Sequence, residues 1–352
     1  METKYLDIAY DMRKNILTRH WKPNQRLPTR EKLVKQYDTS KATMQKTINM
    51  LIDEGLLYSR NKKGTFISAT PPNLYSIAVV FPINDFASGY ETYTDSLWTS
   101  IMRQHQYLEE YFGKRFIFCR YYNSNSNSKE FQRIVQDATA LRLSGIIFTN
   151  TPPQAAIQAM KPLHIPKVTM TTSEVPGFSR VHVDYSHFFS LAVKYLISQG
   201  CTRIALLTNP EISPERTTRC RQDAIEAGIK MPLEWELSVS PLHHAEYWVR
   251  NLVRLLFANS GSKRPDGLII ANENLHDHVI DALKRENIIP GRDIKVAVHH
   301  NFPTNRPLLP GIKRIGFDVR DIIKMCINAI EESELGNFNP PVKLVEAVYE
   351  DS

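Results

Sequence analysis

The chain has 352 residues, 42% of them hydrophobic and 23% charged, and its 44 Lys+Arg exceed its 37 Asp+Glu by a formal charge of +7. That length points to two or three domains, and that composition excludes a disordered chain. The longest apolar runs, residues 77–81 and 267–271, are of strand length against the roughly 20 residues of a membrane span, and the N-terminus has no apolar signal core, so the expectation is a cytoplasmic protein with no membrane partner.

The charge is unevenly spread. Residues 1–70 hold 14 Lys+Arg and 7 Asp+Glu, while the other 282 hold 30 of each, so the whole surplus sits at one end, which is built for a polyanion. From residue 5 to 20 the apolar positions Tyr5, Ile8, Ala9, Met12, Ile16 and Leu17 recur at three- and four-residue steps and predict a first helix. Two prolines in residues 21–28 break the period, and the Thr29 side chain is expected to cap a short helix ending near Tyr37. After the polar turn Asp38-Thr39-Ser40, the residues Met44, Ile48, Leu51 and Ile52 make the buried stripe of a third helix, and Lys41, Gln45 and Asn49 share another face.

Two helices joined by a short polar turn suit insertion of the second into the major groove of duplex DNA. Lys41 can meet either guanine acceptors or phosphate, Gln45 can pair with adenine, and Ser40 and Thr43 can hold phosphate oxygens. Beyond Glu54-Gly55, short strand-like runs at 56–58 and 65–67 flank a basic hairpin tip in which Gly64 can take positive φ. Arg60, Lys62 and Lys63 on that wing can lie along phosphates or enter the minor groove.

This segment resembles the DNA-binding domain of the GntR family of bacterial regulators, in which a Leu-Pro-Ser-Glu-Arg-Glu-Leu run is followed by Val-Ser-Arg-x-Thr-Val-Arg, Glu-Gly-Leu and Gly-Thr-Phe-Val. The counterparts are Leu27-Pro-Thr-Arg-Glu-Lys-Leu33, Thr39-Ser-Lys-Ala-Thr-Met-Gln45, Glu54-Gly-Leu-Leu57 and Gly64-Thr-Phe-Ile67. Three arginines that touch DNA in that family fall on Glu31, Lys41 and Gln45, with Arg30 one place before the first. Lysine and arginine differ at bidentate contacts, so the expected operator differs from the common family palindrome. The DNA-binding residues read from the sequence are therefore Arg30, Ser40, Lys41, Thr43, Gln45, Asn49, Arg60, Lys62, Lys63 and Gly64.

The winged helix-turn-helix domain occupies residues 1–68, and a stiff linker with a double proline occupies 69–75. Residues 76–352 then alternate. Strand-like runs at 77–81, 116–121, 145–148, 167–170 and 181–184 are separated by helix-length segments near 95–112, 129–143 and 153–161. A long amphipathic segment, 186–199, leads to a second series at 204–207, 237–239, 267–271 and 294–298. This is the pattern of an α/β body with two parallel, doubly wound lobes, in which a ligand sits at strand carboxyl ends in the cleft between lobes.

The body resembles the LacI/GalR-type effector domain, a relative of periplasmic sugar-binding proteins. The matching segments are residues 77–82, Leu143-Ser-Gly-Ile-Ile-Phe148, Ile165-Pro-Lys-Val168, Val181-His-Val-Asp184, Tyr195-Leu-Ile-Ser-Gln-Gly-Cys-Thr-Arg-Ile-Ala205 and Pro265-Asp-Gly-Leu-Ile-Ile-Ala-Asn-Glu273. The resemblance implies a sugar or related effector held by Asn272 and Glu273, by Arg216 or Arg219, and by Asn301. Asn301 belongs to a His299-His-Asn-Phe302 loop that has lost the family's two carboxylates. Asp85, Phe86 and Tyr90 follow the first strand, where an aromatic face and polar groups meet such a ligand. A GntR head on a LacI-type body is an arrangement found among bacterial sugar-responsive repressors.

The four cysteines lack metal-type spacing, and adjacent histidine pairs rarely converge on one ion, so no metal or cofactor is expected. No Gly-x-Ser-x-Gly, P-loop, GxGxxG or HExxH is present, which argues against an enzyme. The expected partners are double-stranded operator DNA, a small-molecule effector and a second copy of the chain, because palindromic half-sites mirror two-fold protein symmetry. A competing reading, prompted by Glu31 and Gln45, is a sensor whose head binds DNA poorly.

Overall fold

The structure is a computed structural model of the chain and describes residues 4–17, 20–61, 63–69, 76–83, 96–122, 129–163, 165–210, 212–241, 244–258, 264–334 and 341–350. Its contacts divide it into two units, Met1–Asn84 with His105–Arg180 and Cys326–Pro341, and Asp85–Gln104 with Val181–Met325 and Val342–Ser352.

The first unit begins with helices α1 (Lys4–Leu17), α2 (Arg30–Gln36) and α3 (Lys41–Asp53), followed by the antiparallel hairpin β1 (Leu57–Arg60) and β2 (Gly64–Ile67). The stripe read from the sequence is the core: Ile8, Met12 and Ile16 of α1 pack with Leu33, Met44, Ile48 and Leu51. Helix α3 starts where the Ser40 side chain accepts from the Thr43 N–H at 3.0 Å, and it stops at Gly55, whose φ of 71° suits a residue without Cβ. Thr29 holds the N-cap position of α2 in extended backbone but makes no side-chain cap bond; its hydroxyl serves the Glu31 carboxylate instead. At Gly64, φ is 108°, a left-handed backbone that favours a residue without Cβ, and the Arg26 guanidinium lies over the position a Cβ would take.

The α/β part of this unit contains β3 (Ser76–Ile83), α5 (His105–Phe112), β4 (Arg115–Tyr122), α6 (Lys129–Thr139), β5 (Gly145–Phe148), α7 (Gln154–Met160), β6 (Lys167–Thr169) and the start of β7 (Ser179–Val183). The strands pair in parallel in the order β7-β6-β5-β3-β4. The single helix expected near 95–112 is two, α4 (Ser96–Arg103) and α5, broken at Gln104.

The second unit carries α8 (Tyr185–Ser198), β8 (Ile204–Thr208), α9 (Pro214–Glu226), β9 (Glu236–Ser238), α10 (Ala245–Phe257), β10 (Gly267–Ile270), α11 (His276–Arg285), β11 (Lys295–Phe302) and β12 (Ile312–Asp318). Helix α12 (Val319–Glu334) follows, and two short strands close the chain, β13 (Lys343–Val345) beside β7 and β14 (Val348–Tyr349) beside β12. Among the described residues its sheet runs β14-β12-β11-β10-β8-β9, parallel except at β14. Alternate residues Leu268, Ile270, Val296 and Val298 pack with Val249, Val253, Val279 and Leu283 of α10 and α11, as expected of a doubly wound sheet with buried faces. All four cysteines are buried and free, and burial pushes the thiols of Cys119, Cys220 and Cys326 up to about 12. No helix among the described residues is long and apolar enough to cross a membrane.

Candidate nucleic-acid interface and ligand site

The head presents its polar side chains on elements fixed by the core beneath them. Helix α3 buries Met44, Thr47, Ile48 and Leu51, which turns Lys41 and Asn49 out to solvent and leaves Gln45 half-buried. Ser40 and Thr43 are engaged with each other: their hydroxyls lie 2.9 Å apart, in addition to the cap bond. Gln45 Nε2 donates to Asn49 Oδ1 at 2.6 Å, so these two amides form one ordered pair, each keeping further donor or acceptor capacity for a base edge. Arg30 opens α2 and is exposed.

On the wing, Tyr58 and Phe66 stack with centroids 5.6 Å apart across the Tyr58↔Phe66 register pair. The Arg60 guanidinium lies 5.3 Å from the Tyr58 ring centroid and 5.5 Å from that of Phe66. This contact holds the arginine on a rigid platform beside the hairpin tip instead of leaving it to swing. Lys63 is exposed at the tip, and Lys62 lies outside the described residues. Sequence reasoning found Arg60 but not its aromatic support, which the alternation Tyr58, Arg60 and the paired Phe66 could have shown.

In the second unit, the strand ends bring together residues far apart in the chain. Asn272 follows β10 and its side chain accepts from Asn274 N–H at 2.8 Å, capping the short turn into α11. Glu273 is 5% exposed, and its Oε2 accepts from both the backbone N–H and the side-chain amide of Asn301, at 2.8 and 2.9 Å. His300 Nδ1 stands 3.3 Å from the other carboxylate oxygen. Burial by itself would raise this carboxyl's pKa, but the His300 and Asn301 donors outweigh it and hold it at about 2. His300 Nε2 in turn meets His276 Nδ1 at 3.0 Å, and burial lowers His276 to about 4. Glu273 and Asn301 are thus paired with each other, through a parallel β10–β11 register that the sequence did not reveal.

The structure also separates the two arginines of α9. Arg219 is 70% exposed and bound to Asp223 at 2.8 Å, one turn on, whereas Arg216 is half-buried with its guanidinium 5.8 Å from the Tyr185 ring centroid. Tyr185 also packs against His299 at 5.7 Å and His182 at 6.3 Å, and burial, with some help from the Arg216 charge, lowers the His182 pKa. Asp184 is engaged as the cap of α8, accepting from the Ser186 and His187 N–H groups. Sequence reasoning missed Tyr185 and His182, although residues around the end of a parallel strand are where ligand-facing groups belong. Asp85, Phe86 and Tyr90 lie outside the described residues.

Residues 4–67 match the family model described as bacterial regulatory proteins, gntR family, and residues 193–334 match that of a periplasmic binding protein-like domain. An arabinose metabolism transcriptional repressor of Geobacillus stearothermophilus is 22% identical over 312 residues, which cover 85% of this chain and 82% of that protein. The HTH-type transcriptional regulator GmuR of Bacillus subtilis is 36% identical over 64 residues, covering 18% of this chain and 27% of that protein. Among solved structures, a regulatory protein of the LacI family from Chloroflexus aggregans superposes with a TM-score of 0.60 at 15% identity, over 78% of this chain and 96% of that one. A LacI family transcriptional regulator from Enterococcus faecium, with bound ribose, has a TM-score of 0.56 at 15% identity, over 78% and 97%. The chain therefore joins a head that matches the gntR family to a periplasmic-binding-protein-like domain, and its fold is shared with the LacI-family structures.

Proposed function

From a GntR-type head on a LacI-type body, we propose a cytoplasmic, sugar-responsive repressor that binds operator DNA as a homodimer and acts by binding, without a catalytic step. The observation that carries this reading is α3, whose buried stripe leaves Lys41, Gln45 and Asn49 on one polar face, together with the ring-supported Arg60 on the wing. Arg30, Ser40, Thr43, Lys62, Lys63 and Gly64 complete the DNA-contacting set, with phosphate contacts fixing the register and the α3 side chains reading bases.

The effector site lies at the carboxyl ends of the second sheet and uses Arg216 in preference to Arg219, with Tyr185 as the apolar platform for a sugar ring. Asn272, Glu273 and Asn301 form its base, and Asp85, Phe86 and Tyr90 supply further contacts. Support for an aldose comes from the names of the similar proteins, two of them arabinose repressors and one a ribose-bound regulator. Dimerisation is favoured by α10, whose Tyr247, Trp248 and Leu255 are 60%, 54% and 70% exposed. The test is fluorescence anisotropy on a labelled duplex from the chain's own upstream region, with and without L-arabinose. Binding that L-arabinose reverses supports the whole proposal; binding unaffected by it or any other aldose leaves a DNA-binding protein and overturns the sugar effector.

A further inference from the structure

The C-terminal end of α3 is tied twice, once inside the head and once to the α/β part of the same unit. Glu54 follows the helix as its C-cap, and its carboxylate accepts from Arg13 at both oxygens, Nε to Oε2 at 2.8 Å and Nη2 to Oε1 at 2.5 Å. That pair joins α1 to α3. A second guanidinium, of Arg142, stands 3.5 Å from the same Oε1. Arg142 lies in the short connection between α6 and β5, where its backbone N–H donates to Asp137 O at 2.8 Å and its Nη1 to Asp137 Oδ1 at 3.3 Å. One carboxylate of the head is therefore shared between a cation of its own and a cation anchored to the lobe.

The surroundings match a docking surface better than a nucleic-acid surface. A cavity of about 1130 Å³ separates the two parts, lined by Lys46, Asn49 and Asp53 of α3 and by Arg115, Glu130 and Arg133 of the lobe. The head side contributes Asp53 and Glu54 against Lys46, whose ammonium lies over the Tyr5 ring at 3.8 Å, and the lobe side contributes three arginines against Glu130 and Asp137. With Arg13 paired to Glu54, cations and carboxylates alternate across the cavity, which is a mixed-charge surface and not a uniformly basic one. Lys41 sits at the far end of the 13-residue helix, about 20 Å away at the rise of an α-helix, so docking at the C-cap draws Asn49 towards the lobe and leaves Lys41, at the N-terminal end, accessible.

We propose that Arg142 is a positioning residue that couples the first α/β lobe to the orientation of α3, through the carboxylate of Glu54. A displacement of the α6–β5 connection reaches the DNA-reading helix as a tilt of a rigid rod held at one end, while the Arg13 pair keeps the head folded. The coupling itself does not depend on the sugar or DNA reading; only its consequence for repression does.

Hydrogen-exchange mass spectrometry on the full chain tests it, comparing wild type with Arg142→Ala, Arg142→Lys and Asp137→Asn. In Arg142→Ala, amides in 50–57 and in 137–143 exchange about fivefold faster together, as expected of a part-buried ion pair, while the α1 amides around Arg13 keep their protection. Arg142→Lys restores part of the protection in both segments, and Asp137→Asn loosens both to a smaller degree. Acceleration confined to 137–143 in Arg142→Ala reduces Arg142 to a local structural role and overturns the proposal. If Arg142→Ala fails to fold, unchanged exchange at 50–57 in Asp137→Asn overturns it equally.

Discussion

His299 allows a pH experiment whose size can be worked out beforehand. Its ring is buried among Tyr185, Phe188 and Phe317, with centroids 5.7, 5.6 and 5.5 Å away, and neither ring nitrogen has a hydrogen-bond partner among the described residues. Burial lowers its pKa from 6.5 to about 4. A folded-state pKa below the unfolded one means that stability is fully present above pH 6.5 and is lost as pH falls towards 4, because the unfolded chain takes up a proton that the folded ring refuses. Between pH 8 and pH 5 that difference amounts to about 2 kcal/mol from this side chain alone. His276, lowered to about 4 in the same way, adds a loss of the same sign. His299→Phe preserves the aromatic packing and removes the titration. Urea denaturation at the two pH values, followed by intrinsic fluorescence, is expected to show the wild type losing about 2 kcal/mol more than the variant on acidification, whatever offset the loss of two unpartnered ring nitrogens gives the variant at pH 8. Equal losses in the two proteins would refute the assignment of a buried, neutral ring.

Two further substitutions address function. Lys41→Ala combined with Gln45→Ala leaves the core under α3 untouched, so circular dichroism stays unchanged while affinity for the upstream duplex falls about tenfold or more, at 1–3 kcal/mol for each base contact. Undiminished affinity would favour the sensor whose head reads DNA poorly. Arg216→Met is expected to abolish thermal stabilisation by L-arabinose, whereas Arg219→Ala, which removes only an exposed pair with Asp223, leaves it intact. The reverse ranking would move the effector contact to Arg219.

The parts of this fold that were legible in the sequence are those carried by local pattern. The Met44, Ile48 and Leu51 stripe shows the buried face of α3, Ser40 marks its start, and the basic tip with Gly64 marks the wing. The apolar runs mark β3, β5, β8, β10 and β11 because strands buried on both faces need no alternation. Strands β13 and β14, three and two residues long, carry too few residues for any pattern. The break at Gln104 is invisible because the stretch on either side has helical composition. At the candidate ligand site, Arg216 and Arg219 lie three residues apart and so fall on nearly one helix face; only Asp223, one turn beyond Arg219, separates them. The Glu273–Asn301 and His276–His300 meetings depend on β10 lying beside β11, a long-range pairing that no local spacing encodes.

The central claim is that residues 4–67 bind duplex DNA through a basic head, and the salt dependence of binding tests it most directly. Association with the upstream duplex should weaken steeply between 50 and 200 mM salt, with log K falling linearly in log salt, and by about one unit less of slope for each phosphate-contacting lysine or arginine replaced. An affinity that stays level across that range, or a slope untouched by replacing Arg60 and Lys63, would contradict it.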